Sequence, residues 1–195
     1  MCADTLRTGV CASRLSVKSE LEERNVNRVV QFIQENPGCH LRLIKRELEV
    51  SIGTVQYHLA KLEKMGKITT NRRGLYKYYF PMGVFEEKQK DLLQVLSQET
   101  PREILMVIVE QKNPTQKDIV NRIGISSPAV NWHIRHLLDL KIISEIREGK
   151  YRRYQLRNNP RYVMALLRRY YPNIFEKWTS RFVELFLSIY NSDEK

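Results

Sequence analysis

The apolar positions of this chain follow two rhythms in turn. Val26, Val29, Val30 and Ile33 recur at helical spacing, and Asn36-Pro37-Gly38 ends the run. Leu41, Ile44 and Leu48 line one face of a second helix, predicted over residues 41–48. After the short turn Glu49-Val50-Ser51, a third helix is predicted over 52–65, burying Ile52, Val55, Leu59 and Leu62. Ser51 suits its N-cap, because a hydroxyl can accept a bond from an orphan amide of the first turn. Gly66 suits the left-handed position that stops it. The period then changes from helical to strict alternation. Residues 67–72 and 75–80 read as two strands joined through Arg73-Gly74.

The same pattern returns 75 residues later without a gap. Ser51 falls on Ser126, Val55 on Val130, His58 on His133, Leu62 on Leu137, Arg72 on Arg147, Gly74 on Gly149 and Tyr79 on Tyr154. Residues 25–80 against 100–155 give 12 identities in 56 pairs, and the apolar positions agree more often still. A period this long with only two copies predicts two small domains, each with its own core. In the second copy, helices are expected from Pro101 to Gln111, from Gln116 to Ile123, and over 127–140 behind a Ser126 cap. A hairpin from Ile142 to Leu156 should turn at Glu148-Gly149.

The fold class is therefore mostly α with small β-hairpins, an α+β arrangement of two tandem units. The boundaries read as a flexible arm over 1–18, units over 19–82 and 100–157, a connecting helix within 83–99, and a helical C-terminal region over 158–195. Helix, helix, tight turn, helix, hairpin is the order of a winged helix-turn-helix. The runs "SIGTVQYHLAKLEKMGKI" and "GISSPAVNWHIRHLLDLKII" resemble the recognition-helix region of archaeal and bacterial winged-helix transcriptional regulators. That resemblance implies double-stranded DNA as partner and transcriptional regulation as function.

Charge points the same way. Lys and Arg exceed Asp and Glu by 33 to 22, a formal net charge of +11, which makes a polyanion the first partner to consider. Residues 141–170 hold nine Lys/Arg against two Glu, around Gly149. Three cysteines without a CxxC suit a reducing compartment. No apolar run is long enough for a membrane span, and no signal peptide is legible. A cytoplasmic, nucleoid-associated protein is the expectation.

Candidate contacts follow from helix geometry. Turning about 100° per residue, the face of the third helix opposite Val55, Leu59 and Leu62 holds Tyr57, Lys61 and Lys64, flanked by Thr54 and Gln56. The N-terminal part of such a helix reaches base edges, so Thr54, Gln56 and Tyr57 are base-reading candidates and Lys61 a phosphate ligand. Ser126, Ser127, Asn131, Trp132 and Arg135 are the counterparts in the second copy. Gln56 and Asn131 carry amides that can pair with adenine, although a solvated polar residue would look the same. Tyr57 and Trp132 are large exposed aromatics, suited to packing on thymine methyls or sugars, or on a neighbouring domain. The hairpins add Arg72, Arg73 and Lys77 in the first copy and Arg147, Lys150, Arg152 and Arg153 in the second. Such cations bind phosphate or enter the minor groove.

His58 and His133 sit at matching half-buried positions. His133 and His136 are spaced for one edge of a metal site, but nothing completes it, so neither metal nor cofactor is expected. No phosphate loop, metallohydrolase helix or nucleophile elbow is present, and no enzyme is predicted. At the C-terminus, Phe175, Trp178, Phe182, Leu185 and Ile189 form an apolar stripe at heptad spacing. Homodimerisation is the favoured cover for it; docking onto the chain's own domains, or onto a membrane surface, are the alternatives. Two rival functions stay open: an architectural protein that coats DNA with little sequence preference, and a winged-helix scaffold for proteins.

Overall fold

The computed structural model describes residues 8–73 and 75–176. They divide into two compact units, one ending at Glu86 and the other beginning at Glu87. In the first, α1 (Thr8–Glu35) leads through β1 (Cys39–His40) into α2 (Leu41–Leu48), and a tight turn gives α3 (Ile52–Lys64). The hairpin β2 (Ile68–Arg73) and β3 (Tyr76–Pro81) follows. The antiparallel sheet has the order β1-β3-β2, with Cys39 opposite Tyr79 and Arg72 opposite Lys77.

The core of this unit joins Val26, Val29 and Ile33 of α1 to Ile44 of α2 and to Val55, Leu59 and Leu62 of α3. Cys39, Ile68 and Tyr79 close it from the sheet. Two details depart from the sequence pattern. Ile52 is 48% exposed rather than buried, because it occupies the first helical position, ahead of the turn that meets the core. The helix also runs back to Thr8, through residues 8–18 that show no apolar period. Once nucleated on a packed segment, a helix extends at little cost per residue, and no proline interrupts these positions.

The second unit repeats the plan and thickens it. Its elements are α4 (Glu87–Ser97), α5 (Glu99–Gln111), α6 (Gln116–Ile123) and α7 (Ser127–Asp139), then β4 (Ile143–Glu148), β5 (Tyr151–Leu156) and α8 (Pro160–Tyr170). Every residue of α5 from Ile104 to Val109 is buried. A helix apolar on all sides must be covered on all sides. Here α6, α7 and β5 pack on α5, as does α4, which in turn contacts α8. Leu92, Leu93, Val95 and Leu96 of α4 are fully buried, so this helix is part of the second unit's core rather than a free connector.

The repeat survives even at the strand that the period did not reveal. His40 pairs with Tyr78 in the first unit, and the residues 75 positions on, Thr115 and Arg153, form an isolated bridge in the second. Pro114 stands where the first unit has Cys39 and has no amide hydrogen, whereas the Cys39 amide donates to the Asn36 carbonyl at 3.2 Å. The Pro114 carbonyl still accepts from the Tyr154 amide at 3.0 Å.

Helix capping differs between the copies. The Ser51 hydroxyl accepts from the Thr54 amide at 3.2 Å, as the sequence predicts, and Gly66 adopts the left-handed φ of 66°. Ser126 occupies the cap of α7 but makes no side-chain cap bond. Pro128 removes one of the two amides such a hydroxyl could satisfy. Ser51→Ala should therefore cost about 1 kcal/mol, while Ser126→Ala should change stability by only about a few tenths. Chemical denaturation of the full chain separates them; equal losses would contradict the assignment.

Candidate nucleic-acid interface

The third helices of both units turn one face inward and the other to solvent. Val55, Leu59 and Leu62 are buried on α3, as are Val130, Ile134 and Leu137 on α7. Burying three apolar side chains at i, i+4 and i+7 fixes the helix rotation, and Gln56, Tyr57 and Lys61 on α3, like Trp132 and Arg135 on α7, are turned to solvent. Tyr57 is 55% exposed and Trp132 63%, the largest aromatic surfaces on either helix. Gln56 is exposed, and Asn131 is half-buried.

On the first unit the face holds its own ion pairs. Glu22 of α1 accepts from Tyr57 Oη at 3.2 Å and from Lys61 Nζ at 3.0 Å, through the same oxygen. The Lys61 bond and charge hold the Glu22 carboxyl below the ordinary carboxylate range, and the same bond raises the Lys61 ammonium. At the far end of α3, Glu63 accepts from Lys77 Nζ at 2.7 Å and from Thr70 Oγ1 at 2.9 Å. Lys77 thus ties the hairpin to the helix it flanks. Thr54 is half-buried, and its hydroxyl lies 2.8 Å from Ser51 Oγ, so both belong to the cap. Arg72 and Arg73 are exposed on β2, and Gly74 at the hairpin tip lies outside the described residues.

The second unit arranges its charges differently. Arg135 on α7, Arg147 on β4 and Lys150 at the hairpin tip are exposed, with no ion-pair partner among the described residues. Lys150 Nζ lies over the Tyr151 ring, 5.4 Å from its centre. The hairpin turns through Gly149 and Lys150, with Glu148 opposite Tyr151, one residue later than the sequence suggests. Arg152 faces Glu145 at 3.6 Å. Arg153 is turned inward: it donates to the Asn113 carbonyl at 3.1 Å and ion-pairs with Glu148. It anchors the hairpin to the loop before α6. Gln116, which no sequence signal singles out, donates to the Ser127 hydroxyl at 2.9 Å and locks the start of α7.

His58 is fully buried, not half-buried, and neither ring nitrogen has a hydrogen-bond partner among the described residues. Trp132 stands edge-on to His133 and stacks on His136, with centroids 4.8 and 6.0 Å away. Among the described residues no group of three or more His, Cys, Asp or Glu could hold a metal ion, and no helix could cross a membrane. Of the C-terminal stripe, Phe175 is half-buried, and Trp178, Phe182, Leu185 and Ile189 lie outside the described residues.

Burial lowers the pKa of His58, His133 and His40 from the ordinary 6.5. The His40 Nδ1 also accepts from the Leu43 amide and caps α2, which requires the neutral ring. A base depressed in the folded state binds fewer protons than it does unfolded. Its stabilising effect is therefore complete above about 6.5 and declines as pH falls toward the folded values. Thermal melts should show stability dropping below about pH 6.5, and His58→Leu should flatten that drop. An unchanged pH profile in the variant would contradict this account of His58.

Residues 23–93 match a family model described as an N-terminal HTH domain, and residues 97–144 one described as winged helix-turn-helix DNA-binding. The chain is 28% identical over 122 residues to an uncharacterized HTH-type transcriptional regulator of Methanocaldococcus jannaschii. That match covers 62% of this chain and 30% of the relative, so the chain spans under a third of the relative's length. Among solved structures it is similar to NolR from Sinorhizobium fredii, at 21% identity and a TM-score of 0.36, over 42% of this chain and 78% of that one. It is also similar to an ArsR family transcriptional regulator, at 20% identity and a TM-score of 0.35, over 55% and 98%. With a hairpin after its third helix, each of the two units has the winged helix-turn-helix fold.

Proposed function

We propose that this protein is a double-stranded DNA-binding transcriptional regulator, acting at the nucleoid in the cytoplasm. In this reading α3 and α7 enter major grooves and the hairpins lie along flanking backbone. The observation that carries it is the division of each third helix. Its apolar stripe is buried, while an aromatic ring more than half exposed stands beside cations on the outer face. A large exposed aromatic at that place suits contact with thymine methyls or deoxyribose, and the neighbouring Gln56 and Asn131 suit adenine. Those side chains favour sequence preference over uniform coating of DNA; discrete peaks of genome-wide occupancy, rather than a plateau, would bear that out.

The second unit should contribute more of the electrostatic attraction. Arg135, Arg147 and Lys150 are available to phosphate there, whereas Lys61 and Lys77 of the first unit are already paired. Affinity for duplex DNA should fall steeply with salt, by about 0.9 in logarithmic slope for each phosphate neutralised. Arg135→Ala with Arg147→Ala should weaken binding and flatten that slope more than Arg72→Ala with Arg73→Ala. Arg153 is unsuited to this comparison, because its loss would also release the hairpin from Asn113. Salt-independent binding, or none, would overturn the proposal, and equal losses would overturn the asymmetry.

A homodimer is the assembly this reading favours. Phe175 lines an open groove of about 520 Å³ with Met164, Ala165, Arg161, Arg168 and Arg169. A groove with an apolar floor and a basic rim suits an amphipathic helix from a second copy. Sedimentation equilibrium should find a dimer that Phe175→Asp dissociates; a monomeric parent chain would contradict it.

A further inference from the structure

The outward face of α3 is not open along its length. Tyr57 and Lys61 are four residues apart and so share one strip of the helix. Both donate to the same atom, Glu22 Oε1, at 3.2 and 3.0 Å. A carboxylate there accepts from the very groups that a DNA phosphate would use. It is an internal substitute for the backbone oxygen, placed where the duplex is expected.

The second unit carries other residues at the matching positions. The position 75 residues after Glu22 is Ser97, whose hydroxyl donates to the Gln94 carbonyl at 2.8 Å. Tyr57 and Lys61 are replaced by Trp132 and His136, whose rings stack on one another with planes 15° apart. The outer strip of α7 thus presents two stacked rings where that of α3 presents a hydroxyl and an ammonium on one carboxylate. The pair on α3 is also easily displaced. The Lys61 and Glu22 side chains are 44% and 35% exposed, and ion pairs at such exposure add little to stability.

We propose that Glu22 is a specificity-setting residue that competes with DNA phosphate for Tyr57 and Lys61, lowering the affinity of the first unit for duplexes of arbitrary sequence. This rests on reading α3 as a DNA-facing helix. Any duplex approaching that face must exchange a protein carboxylate for a phosphate and bring its own negative charge beside Glu22. A duplex that offers further contacts, through Gln56 or the hairpin, makes the exchange favourable; one that offers only phosphate gains little from it. The first unit then acts as the more discriminating of the two, and the second as the more adhesive.

The test measures binding of the full chain to an arbitrary-sequence duplex across a salt series, by fluorescence anisotropy. Glu22→Gln keeps the shape of the side chain and removes its charge. It should tighten binding about two- to fivefold and steepen the salt slope by about 0.9, one more phosphate being neutralised. Glu23→Gln removes the same charge from an exposed neighbouring position and should give a smaller gain with no change in slope. In a Lys61→Ala background, Glu22→Gln should lose the extra slope and most of its gain. Weaker binding by Glu22→Gln would overturn the proposal, as would a gain equal to that of Glu23→Gln or one independent of Lys61. If the unaltered chain binds no duplex at all, the DNA-facing reading itself fails, and the proposal falls with it.

Discussion

Everything proposed for this chain depends on the burial of three side chains on each third helix. Val55, Leu59 and Leu62 in one unit, and Val130, Ile134 and Leu137 in the other, are almost wholly removed from solvent. Each such residue contributes on the order of 1.5–3 kcal/mol when buried, which is large beside any surface contact. The stripe therefore dictates the rotation of the helix about its axis. Tyr57 and Trp132 are exposed because their neighbours are not. A polar substitution in the stripe would disturb the fold and the presented face together, whereas the outward residues can vary without touching the core.

That separation explains how one scaffold serves twice with different surfaces. The internal charges of the first unit are spent on fastening: Glu22 to α3 and Glu63 to the hairpin. The second unit fastens its hairpin by other means, through Arg153 on Asn113 and the Tyr154 amide on the Pro114 carbonyl. Its remaining cations at Arg135, Arg147 and Lys150 face solvent. The difference lies in side chains that pack on a shared backbone plan, not in the plan.

Much of the plan was legible from the residues, because it rests on period and on local chemistry. Apolar spacing places α2 and the 75-residue repeat carries it to α6, while the Ser51 cap and Gly66 stop need only neighbouring atoms. The candidate interface was legible to the extent that helix geometry separates inner from outer positions. What escaped is what long-range packing decides. β1 is two residues long and carries no period; it exists because β3 lies beside it. The inward turn of Arg153 and the reach of Glu22 join residues 40 and 35 positions apart in the chain. Alternation along a strand predicts the side on which Arg153 emerges, but not that a carbonyl waits there. Likewise α5 was legible as a helix, whereas the burial of Ile104–Val109 on every side depends on α4, which packs on it from outside the repeat.

The central claim is that the outer faces of α3 and α7, with their hairpins, are the surfaces that meet DNA. Amide chemical-shift mapping during titration with duplex DNA tests it most directly. The account predicts perturbations concentrated in residues 51–61, 72–77, 126–135 and 147–152, fading as salt is raised. Perturbations confined to α2, α6 or α8, with both third helices silent, would contradict it.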